Sequence, residues 1–394
     1  MILHINMNYI AGSLYSAMLA HMPQPEEHVV YAPAARKART YTLMKQELGH
    51  PEVHVMPGLS SWERMFYRHR HHKMYQALQK SVSLDKITLS QAYTLFTDGA
   101  LAHRLFREKG VPYIVSLQDR ELRRLLNEWN KHEELALEIL EDASTITFLS
   151  EGMRQEVVER LIPVQQRDHF RRKSHVIPHG IDDFWLENPP PESLKTEQQE
   201  RCLKTVRLLF VGTLNRNKNV MQIQEARRLL QERGISTRLD MVGRVVNRRL
   251  YDALLNVPNT VYHTPESKEE LIHCYRKADV FVMPSFYEAF GLVYAEALSQ
   301  GLPIIYSRGQ GFDEQFPNGE VGYAVYPQDP TSIADAIEAI LKDKAIRKRA
   351  LAGASRFDWE QVDAQYAAIY RQLLPTAPAS PRRLRGIETR VANS

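Results

Sequence analysis

The sequence predicts an α/β protein of two Rossmann-like domains that face each other across a cleft. Its 394 residues exceed what one hydrophobic core usually holds, so two domains are expected. In both halves, short apolar runs alternate with amphipathic stretches, which is typical of βα units around a parallel sheet. The polar, proline-containing stretch 187–204 separates the halves and is typical of an interdomain linker.

The N-terminal half, residues 1–186, is predicted to be the first domain. Apolar runs predict strands at residues 2–5, 28–31, 53–56, 93–96, 113–117, 145–149 and 175–177. Helical spacing predicts helices at residues 13–21, 37–48, 101–109 and 151–161.

The second domain is predicted at residues 205–358 and repeats this architecture. Strands are expected at residues 206–211, 237–242, around 261, 280–283 and 303–306, with helices at 220–233, 268–277 and 292–300. An amphipathic helix at 359–374 follows, and residues 375–394 are expected to form a basic, mobile tail.

Composition and the lengths of the apolar runs predict a globular protein without a membrane-spanning helix. The chain is 43% hydrophobic and 25% charged, as in ordinary globular proteins. The apolar N-terminus, Met1–Ile5, is too short for a signal sequence, and no run of about 18 apolar residues occurs. We therefore expect a cytoplasmic protein, at most peripheral on the inner face of the cell membrane.

The two cysteines, Cys202 and Cys274, lack metal-ligand spacing. A net charge of +4 suits anionic ligands without requiring nucleic acid.

The segment from Met283 to Leu292 is the most specific one for function. An apolar strand ends near Pro284, a turn containing Gly291 follows, and a helix begins, so backbone N–H groups are available to bind phosphate. Glu288 lies on the turn and Glu296 lies in the helix, about 12 Å further on if all eight residues were helical. The two carboxylates suit opposite ends of one extended ligand.

A second strand, turn and helix start runs from Phe210 to Val220. Lys218 lies at the positive end of the predicted helix, where a cation is unfavourable unless an anion binds. A fixed cation there would stabilise the negative charge of a departing nucleoside diphosphate. A solvated lysine at a helix start is the alternative.

Glu288, Phe290, Gly291 and Glu296 match the pattern E-x-F-G-x4-E, so the second half resembles the family 4 retaining glycosyltransferases of the GT-B fold. The resemblance implies that Glu288 contacts the hydroxyls of the donor sugar and that Glu296 binds the ribose. It also implies that Lys218 faces the leaving phosphate and that the last helix packs back on the first domain. Further donor contacts are implied for Gly12, Thr213, Gly243, Ala289, Phe290, Gly291 and Leu292.

Departures from the family pattern fall at or beside predicted site positions, and Gly12 alone remains of the family's N-terminal glycine pair. Thr213 stands where the family has Arg, and we hypothesise that Arg216, in the same turn, supplies the guanidinium and joins Glu288 and Lys218 as a catalytic residue. Asn219 stands where the family has Gly after the Lys. Gln118, followed by Asp119, occupies the acceptor-side position at which many members have His.

The resemblance implies transfer of a hexose or N-acetylhexosamine from a nucleoside-diphosphate sugar to a glycan or lipid-linked acceptor. UDP is the expected nucleotide, with GDP the alternative, and the expected pathway is cell-envelope polysaccharide, teichoic-acid or glycolipid synthesis. No cofactor and no metal are expected, because Lys218 and a helix dipole can replace Mg²⁺ and no D-x-D pair follows a strand. A sugar phosphorylase and a non-catalytic sugar-nucleotide-binding protein remain alternatives.

Residues 62–80 form a candidate basic, aromatic helix. An anionic membrane surface is one partner that such a helix binds. A solvated helix face explains the same residues, and the pattern does not decide between the two. His69, His71 and His72 do not have the i, i+4 spacing that two metal ligands on a helix need.

Overall fold

The computed structural model describes residues 1–11, 14–22, 24, 27–33, 42–44, 51–57, 59, 66–117, 132–192, 205–264 and 267–374. Gly12, Gln118, Asp119, residues 193–204 of the predicted linker and the tail 375–394 lie outside these residues. Among the described residues, no helix is long and apolar enough to cross a membrane.

The described residues of the N-terminal half form eight strands in one sheet. They are β1 (Ile2–Ile5), β2 (His28–Ala32), β3 (Thr42–Met44), β4 (Glu52–Val55), β5 (Leu89–Ala92), β6 (Tyr113–Leu117), β7 (Thr145–Phe148) and β8 (Ser174–Val176). Their order is β3-β4-β2-β1-β5-β6-β7-β8, and all neighbours are parallel except β3 and β4.

In the second half, residues 205–264 and 267–374 form a sheet of six parallel strands. They are β9 (Val206–Val211), β10 (Thr237–Val242), β11 (Thr260–His263), β12 (Val280–Val282), β13 (Ile304–Ser307) and β14 (Gly322–Val325), in the order β11-β10-β9-β12-β13-β14. All six are half-buried or buried, which explains why nearly continuous apolar runs, and not alternating ones, marked them in the sequence.

Helices connect these strands. In the N-terminal half they are α1 (Leu14–His21), α2 (Tyr67–Ser81), α3 (Ala100–Lys109), α4 (132–142), α5 (Glu151–Arg160), α6 (Arg167–Arg172) and α7 (Asp183–Glu187). In the second half they are α8 (Val220–Glu232), α9 (Arg248–Leu255), α10 (Lys268–Lys277), α11 (Leu292–Ser299), α12 (Pro330–Lys342), α13 (Ile346–Gly353) and α14 (Trp359–Leu373).

Two predicted elements are wrong. Residues 93–96 were expected to form a strand, but the strand is β5, and residues Leu95–Gly99 form a wide helical turn. The Thr94 hydroxyl accepts a hydrogen bond from the Asp98 N–H at 3.0 Å and caps this turn, which the apolar run concealed. Residues 37–48 were expected to form a helix, but 42–44 form β3, which pairs antiparallel with β4. Tertiary pairing overrides local helical spacing there.

The last helix, α14, packs on the sheet of the N-terminal half. Tyr366 and Tyr370 are buried in a cluster that includes residues of β1, β2, β4, β5 and α1. The Tyr370 hydroxyl donates a hydrogen bond to Oε1 of Gln91 on β5. The chain therefore passes between the halves twice, once on leaving β8 and once on entering α14.

Candidate active site

The candidate site lies at the switch point of the second sheet. From β9 the chain proceeds outward through β10 and β11, whereas β12, β13 and β14 proceed in the opposite direction. In parallel sheets, ligands bind beyond the carboxyl ends of the strands at such a point. The turns that follow β9 and β12 meet there, and they contain the two predicted motifs.

The turn after β12 depends on Gly291. Its backbone is left-handed, with φ of 78°, and a Cβ there would lie 2.6 Å from the Tyr294 ring. The Tyr294 hydroxyl donates a 2.6 Å hydrogen bond to the Met283 carbonyl, which closes the turn onto the end of the strand. Helix α11 thus begins beside the switch point with its first N–H groups free of intrahelical acceptors. Such a helix start suits a phosphate group.

The turn after β9 is held by three asparagines. The Asn215 side chain accepts from the Lys218 N–H at 3.0 Å, and the Asn217 side chain donates to the Tyr287 carbonyl at 2.8 Å. Asn219 has φ of 58°, a left-handed conformation that Asn tolerates and that explains why it can stand where the family has Gly. Its amide donates to the Pro284 and Pro327 carbonyls at 2.9 and 2.7 Å. The two turns are therefore fixed relative to each other.

Lys218 and Glu288 meet across the two turns. Their side chains form an ion pair, and the Ser285 hydroxyl donates to the same carboxylate oxygen of Glu288 at 3.3 Å. The Lys218 side chain is 20% exposed and that of Glu288 is 12% exposed, so both are accessible to a small ligand while largely shielded from bulk water. Glu288 is the anion that compensates the lysine at this helix start.

Glu296 is held separately from this pair. The Tyr275 hydroxyl donates a 2.9 Å hydrogen bond to its Oε2 atom. Burial raises the pKa of Glu296 to about 7, against the Tyr275 hydrogen bond and the charge of Lys268, which lower it. Lys268 itself is ion-paired with Asp182. Glu296 therefore titrates near neutral pH, and its protonation state should govern the ligands it binds.

The remaining donor-side residues are placed as follows. The Arg216 side chain is exposed and has no hydrogen bond or ion pair within the described ranges, so its catalytic role stays a hypothesis. Thr213 is half-buried in the same turn. Gly243 packs against Gly212 so closely that a Cβ on it would lie 2.1 Å from the Gly212 carbonyl oxygen. Phe290 and Ala289 are buried next to Glu288.

Gly12, Gln118 and Asp119 lie outside the described residues, so their predicted roles stay predictions. The structure instead adds two residues that the motifs did not indicate. Ser285 contacts the carboxylate of Glu288, and Gln310, on the loop after β13, accepts a hydrogen bond from its backbone N–H at 3.1 Å. Ser285 lies inside the segment from Met283 to Leu292, where the motif assigned it no role, and no sequence signal marked Gln310.

Residues 194–356 match the family model described as glycosyl transferases group 1. A D-inositol 3-phosphate glycosyltransferase of Xylanimonas cellulosilytica is 30% identical over 222 residues, which cover 52% of each chain. A protein of the same name from Corynebacterium urealyticum is 39% identical over 118 residues, which cover 29% of this chain and 28% of that one. The chain thus matches about half, or less, of the length of these curated relatives.

Solved structures match over nearly the whole chain. Sucrose-phosphate synthase of Thermosynechococcus elongatus superposes with a TM-score of 0.68 at 19% identity, covering 94% of this chain and 98% of that one. HepE of Anabaena, in complex with UDP-glucose, superposes with a TM-score of 0.65 at 16% identity, covering 94% and 99%. The predicted GT-B architecture of two Rossmann-like domains is confirmed.

Proposed function

We propose that this chain is a family 4 retaining glycosyltransferase. It transfers a hexose or N-acetylhexosamine from a nucleoside-diphosphate sugar, bound to the second half, to a hydroxyl of an acceptor bound to the N-terminal half. The match of residues 194–356 to the glycosyltransferase model supports this activity. The HepE structure in complex with UDP-glucose supports UDP as the nucleotide to test first.

The observation that carries the proposal is the meeting of Lys218 and Glu288 at the switch point. In a nucleotide-sugar donor, the bond that breaks joins the sugar to the diphosphate. An ammonium beside a carboxylate suits that junction, because the cation can bind the phosphate while the carboxylate accepts hydrogen bonds from sugar hydroxyls. The start of α11 adds N–H donors on the phosphate side. Lys218 and these N–H groups are already in place to stabilise the negative charge that develops on the leaving diphosphate.

Retention of configuration follows from the family resemblance. The acceptor hydroxyl attacks from the face that the diphosphate leaves, its proton passes to the leaving phosphate oxygen, and the sugar–phosphate bond breaks as the new glycosidic bond forms. In this scheme Lys218 holds the leaving phosphate and Glu288 orients the sugar. The scheme needs neither a metal ion nor a covalent intermediate on the protein.

The proposal is tested by a thermal-shift screen against UDP, GDP and ADP and their common sugar conjugates, in EDTA, followed by assays of nucleoside-diphosphate release. We expect one nucleotide to raise the unfolding temperature and its sugar conjugate to be consumed. Binding without turnover would favour a non-catalytic sugar-nucleotide-binding protein. Phosphate-dependent cleavage of a glycan, without any nucleotide response, would favour a sugar phosphorylase.

Nucleotide-sugar affinity is expected to depend on pH through Glu296. If the carboxylate accepts hydrogen bonds from the ribose hydroxyls, affinity should be full at pH 8 and fall as Glu296 protonates below its pKa of about 7. The expected loss between pH 8 and pH 6 is about tenfold, as for a single group titrating in that interval. Calorimetry with a UDP-sugar measures this effect cleanly, because its diphosphate diester does not titrate in this range.

Glu296→Gln supplies the control, since it keeps the size of the side chain and removes the titration. Its affinity should be lower at pH 8 and vary little with pH. A wild-type profile that is flat from pH 8 to pH 6 would contradict ribose binding by Glu296.

We also propose that α2, which lies in the half proposed to bind the acceptor, docks on an anionic membrane surface. The helix buries Met74, Tyr75 and Leu78 and exposes Arg68 and Lys80, with Phe66 48% exposed just before its start. Residues 62–65 of the predicted segment lie outside the described residues. Basic side chains beside an exposed aromatic ring suit headgroups of anionic lipids.

Flotation with vesicles of mixed neutral and anionic phospholipid tests this proposal. Arg68→Glu combined with Lys80→Glu should lower vesicle binding at least about tenfold, because each cation near such a surface is worth about 1 kcal/mol. Arg172→Glu combined with Lys344→Glu makes the same charge change at other exposed positions and should bind like the wild type. Equal loss in both double variants would indicate non-specific attraction by net charge.

A further inference from the structure

The loop after β13 is anchored in the second half. Phe312 is buried among the rings of Phe290, Tyr294 and Phe357, with centroid distances between 5.0 and 5.9 Å. The Asp313 carboxylate accepts from the Gly309 N–H at 2.7 Å and fixes the turn that precedes it. Gln310 therefore extends from a loop whose backbone is held on both sides.

This loop holds the backbone of Glu288 at two points. The Gly311 N–H donates to the Glu288 carbonyl at 2.8 Å, and the Glu288 N–H donates to Oε1 of Gln310 at 3.1 Å. The approach is so close that a Cβ on Gly311 would lie 1.7 Å from the Ala289 carbonyl oxygen. The carboxylate of Glu288 is held from the other side by Lys218 and Ser285.

The same loop contacts the N-terminal half. A Cβ on Gly152, near the start of α5, would lie 3.1 Å from the Gly309 carbonyl oxygen. Further along the loop, the Gln315 side chain donates to the Leu149 carbonyl at 3.3 Å. One loop thus connects the backbone of Glu288 to a point at which the two halves touch.

We propose that Gln310 is a positioning residue for Glu288. The loop from Gly309 to Gln315 then couples the binding of the donor sugar by Glu288 to contact with the N-terminal half. The inference rests on the proposed function, because it takes Glu288 as the sugar-binding carboxylate. Gln310 acts through the backbone of Glu288, so its effect should appear with the sugar moiety and not with the nucleotide. The coupling would make full sugar binding depend on contact at Gly152.

The test compares affinity for the UDP-sugar with affinity for UDP alone, by calorimetry. Gln310→Met keeps the length of the side chain and removes the acceptor for the Glu288 N–H. We expect about fivefold weaker binding of the UDP-sugar, the size of one ordinary hydrogen bond, with UDP affinity within about twofold of the wild type. Gln231→Met is the matched control, because it makes the same substitution at an exposed position near the end of α8, outside this loop.

The outcomes separate the inference from alternatives. Equal weakening of UDP and the UDP-sugar, or a fall in unfolding temperature that accounts for both, would indicate a merely structural role and overturn the inference. Unchanged UDP-sugar affinity in Gln310→Met would also overturn it. A wild type that binds no nucleotide sugar would contradict the proposed function as well, and the calorimetry of the wild type alone shows this.

Gly152→Val tests the coupling independently of Gln310. The added methyl groups would meet the Gly309 carbonyl and hold the halves apart, while the turns that contain Lys218 and Glu288 are left intact. We expect weaker UDP-sugar binding and slower transfer at an unchanged UDP affinity. Wild-type transfer kinetics in Gly152→Val would show that contact at this point does not influence Glu288.

Discussion

We expect the replacement of Lys218 with Met to lower the rate of the proposed sugar transfer by about two to three orders of magnitude, the range found when one preorganised donor to a developing oxyanion is removed. The expected loss is in kcat, because the charge on the diphosphate grows as the bond to the sugar breaks. The Lys218 ion pair with Glu288 places the ammonium at the junction of the two turns, where this charge develops. Steady-state kinetics with the UDP-sugar measures the effect.

Two variants control the result. Lys218→Arg keeps the positive charge and should retain more activity than Lys218→Met. Lys344→Met removes an exposed lysine of the same half and should leave kcat unchanged. If Lys218→Met raised only the KM for the donor, Lys218 would bind the ground state and its assignment to the leaving group would be wrong.

Replacing Asp363 with Asn should stabilise the protein above neutral pH. Asp363 lies on α14, is 2% exposed, and neither carboxylate oxygen has a hydrogen-bond partner among the described residues. Burial raises its pKa to about 8, although the charge of His21 lowers it in part. The charge of Asp363 helps to raise the pKa of Tyr93, Tyr366 and Tyr370, and these side chains supply no compensating positive charge.

The pH dependence follows from linkage. The folded-state pKa lies above the value of about 3.9 for an unfolded Asp, so the proton stabilises the folded state at low pH and this stability is lost as the pH rises towards 8. An uncharged Asn has no such loss. The advantage of Asp363→Asn should therefore grow from pH 5 to pH 8 and reach roughly 2 to 4 kcal/mol.

Urea unfolding at pH 5, 6, 7 and 8 measures this difference in the free energy of unfolding. Asp252→Asn, which removes an exposed carboxylate of a surface ion pair, gives the effect of one lost surface charge. A stability difference between wild type and Asp363→Asn that did not change with pH would show that Asp363 is not a buried titrating group.

Most strands and the candidate site could be predicted because their signals are local. The strand 206–211 and the helix 268–277 have the predicted bounds, since each is an apolar or periodic run between polar residues. β14 was missed because Gly322–Val325 is short and begins with Gly, and β3 was missed because its partner β4 stabilises it. Pairing between strands is not visible in local periodicity.

The contacts around Glu288 show the same limit. Its residue type and turn followed from the spacing to Gly291 and Glu296. The contacts of Glu288 did not follow from this spacing, because Lys218 is 70 residues away in sequence. Gln310 is 22 residues away and follows a different strand. Only the topology of the sheet brings these three residues together at one edge.

The two passages of the chain between the halves contact each other directly. The Ile181 N–H donates to the Phe357 carbonyl at 2.8 Å, and Gly180 lies against the Trp359 ring so closely that a Cβ would be 2.3 Å from it. His179, beside Gly180, packs against the rings of Tyr15, Phe290 and Trp359. Because both passages are fixed to each other here, we expect the two halves to rotate about this contact when the cleft opens and closes.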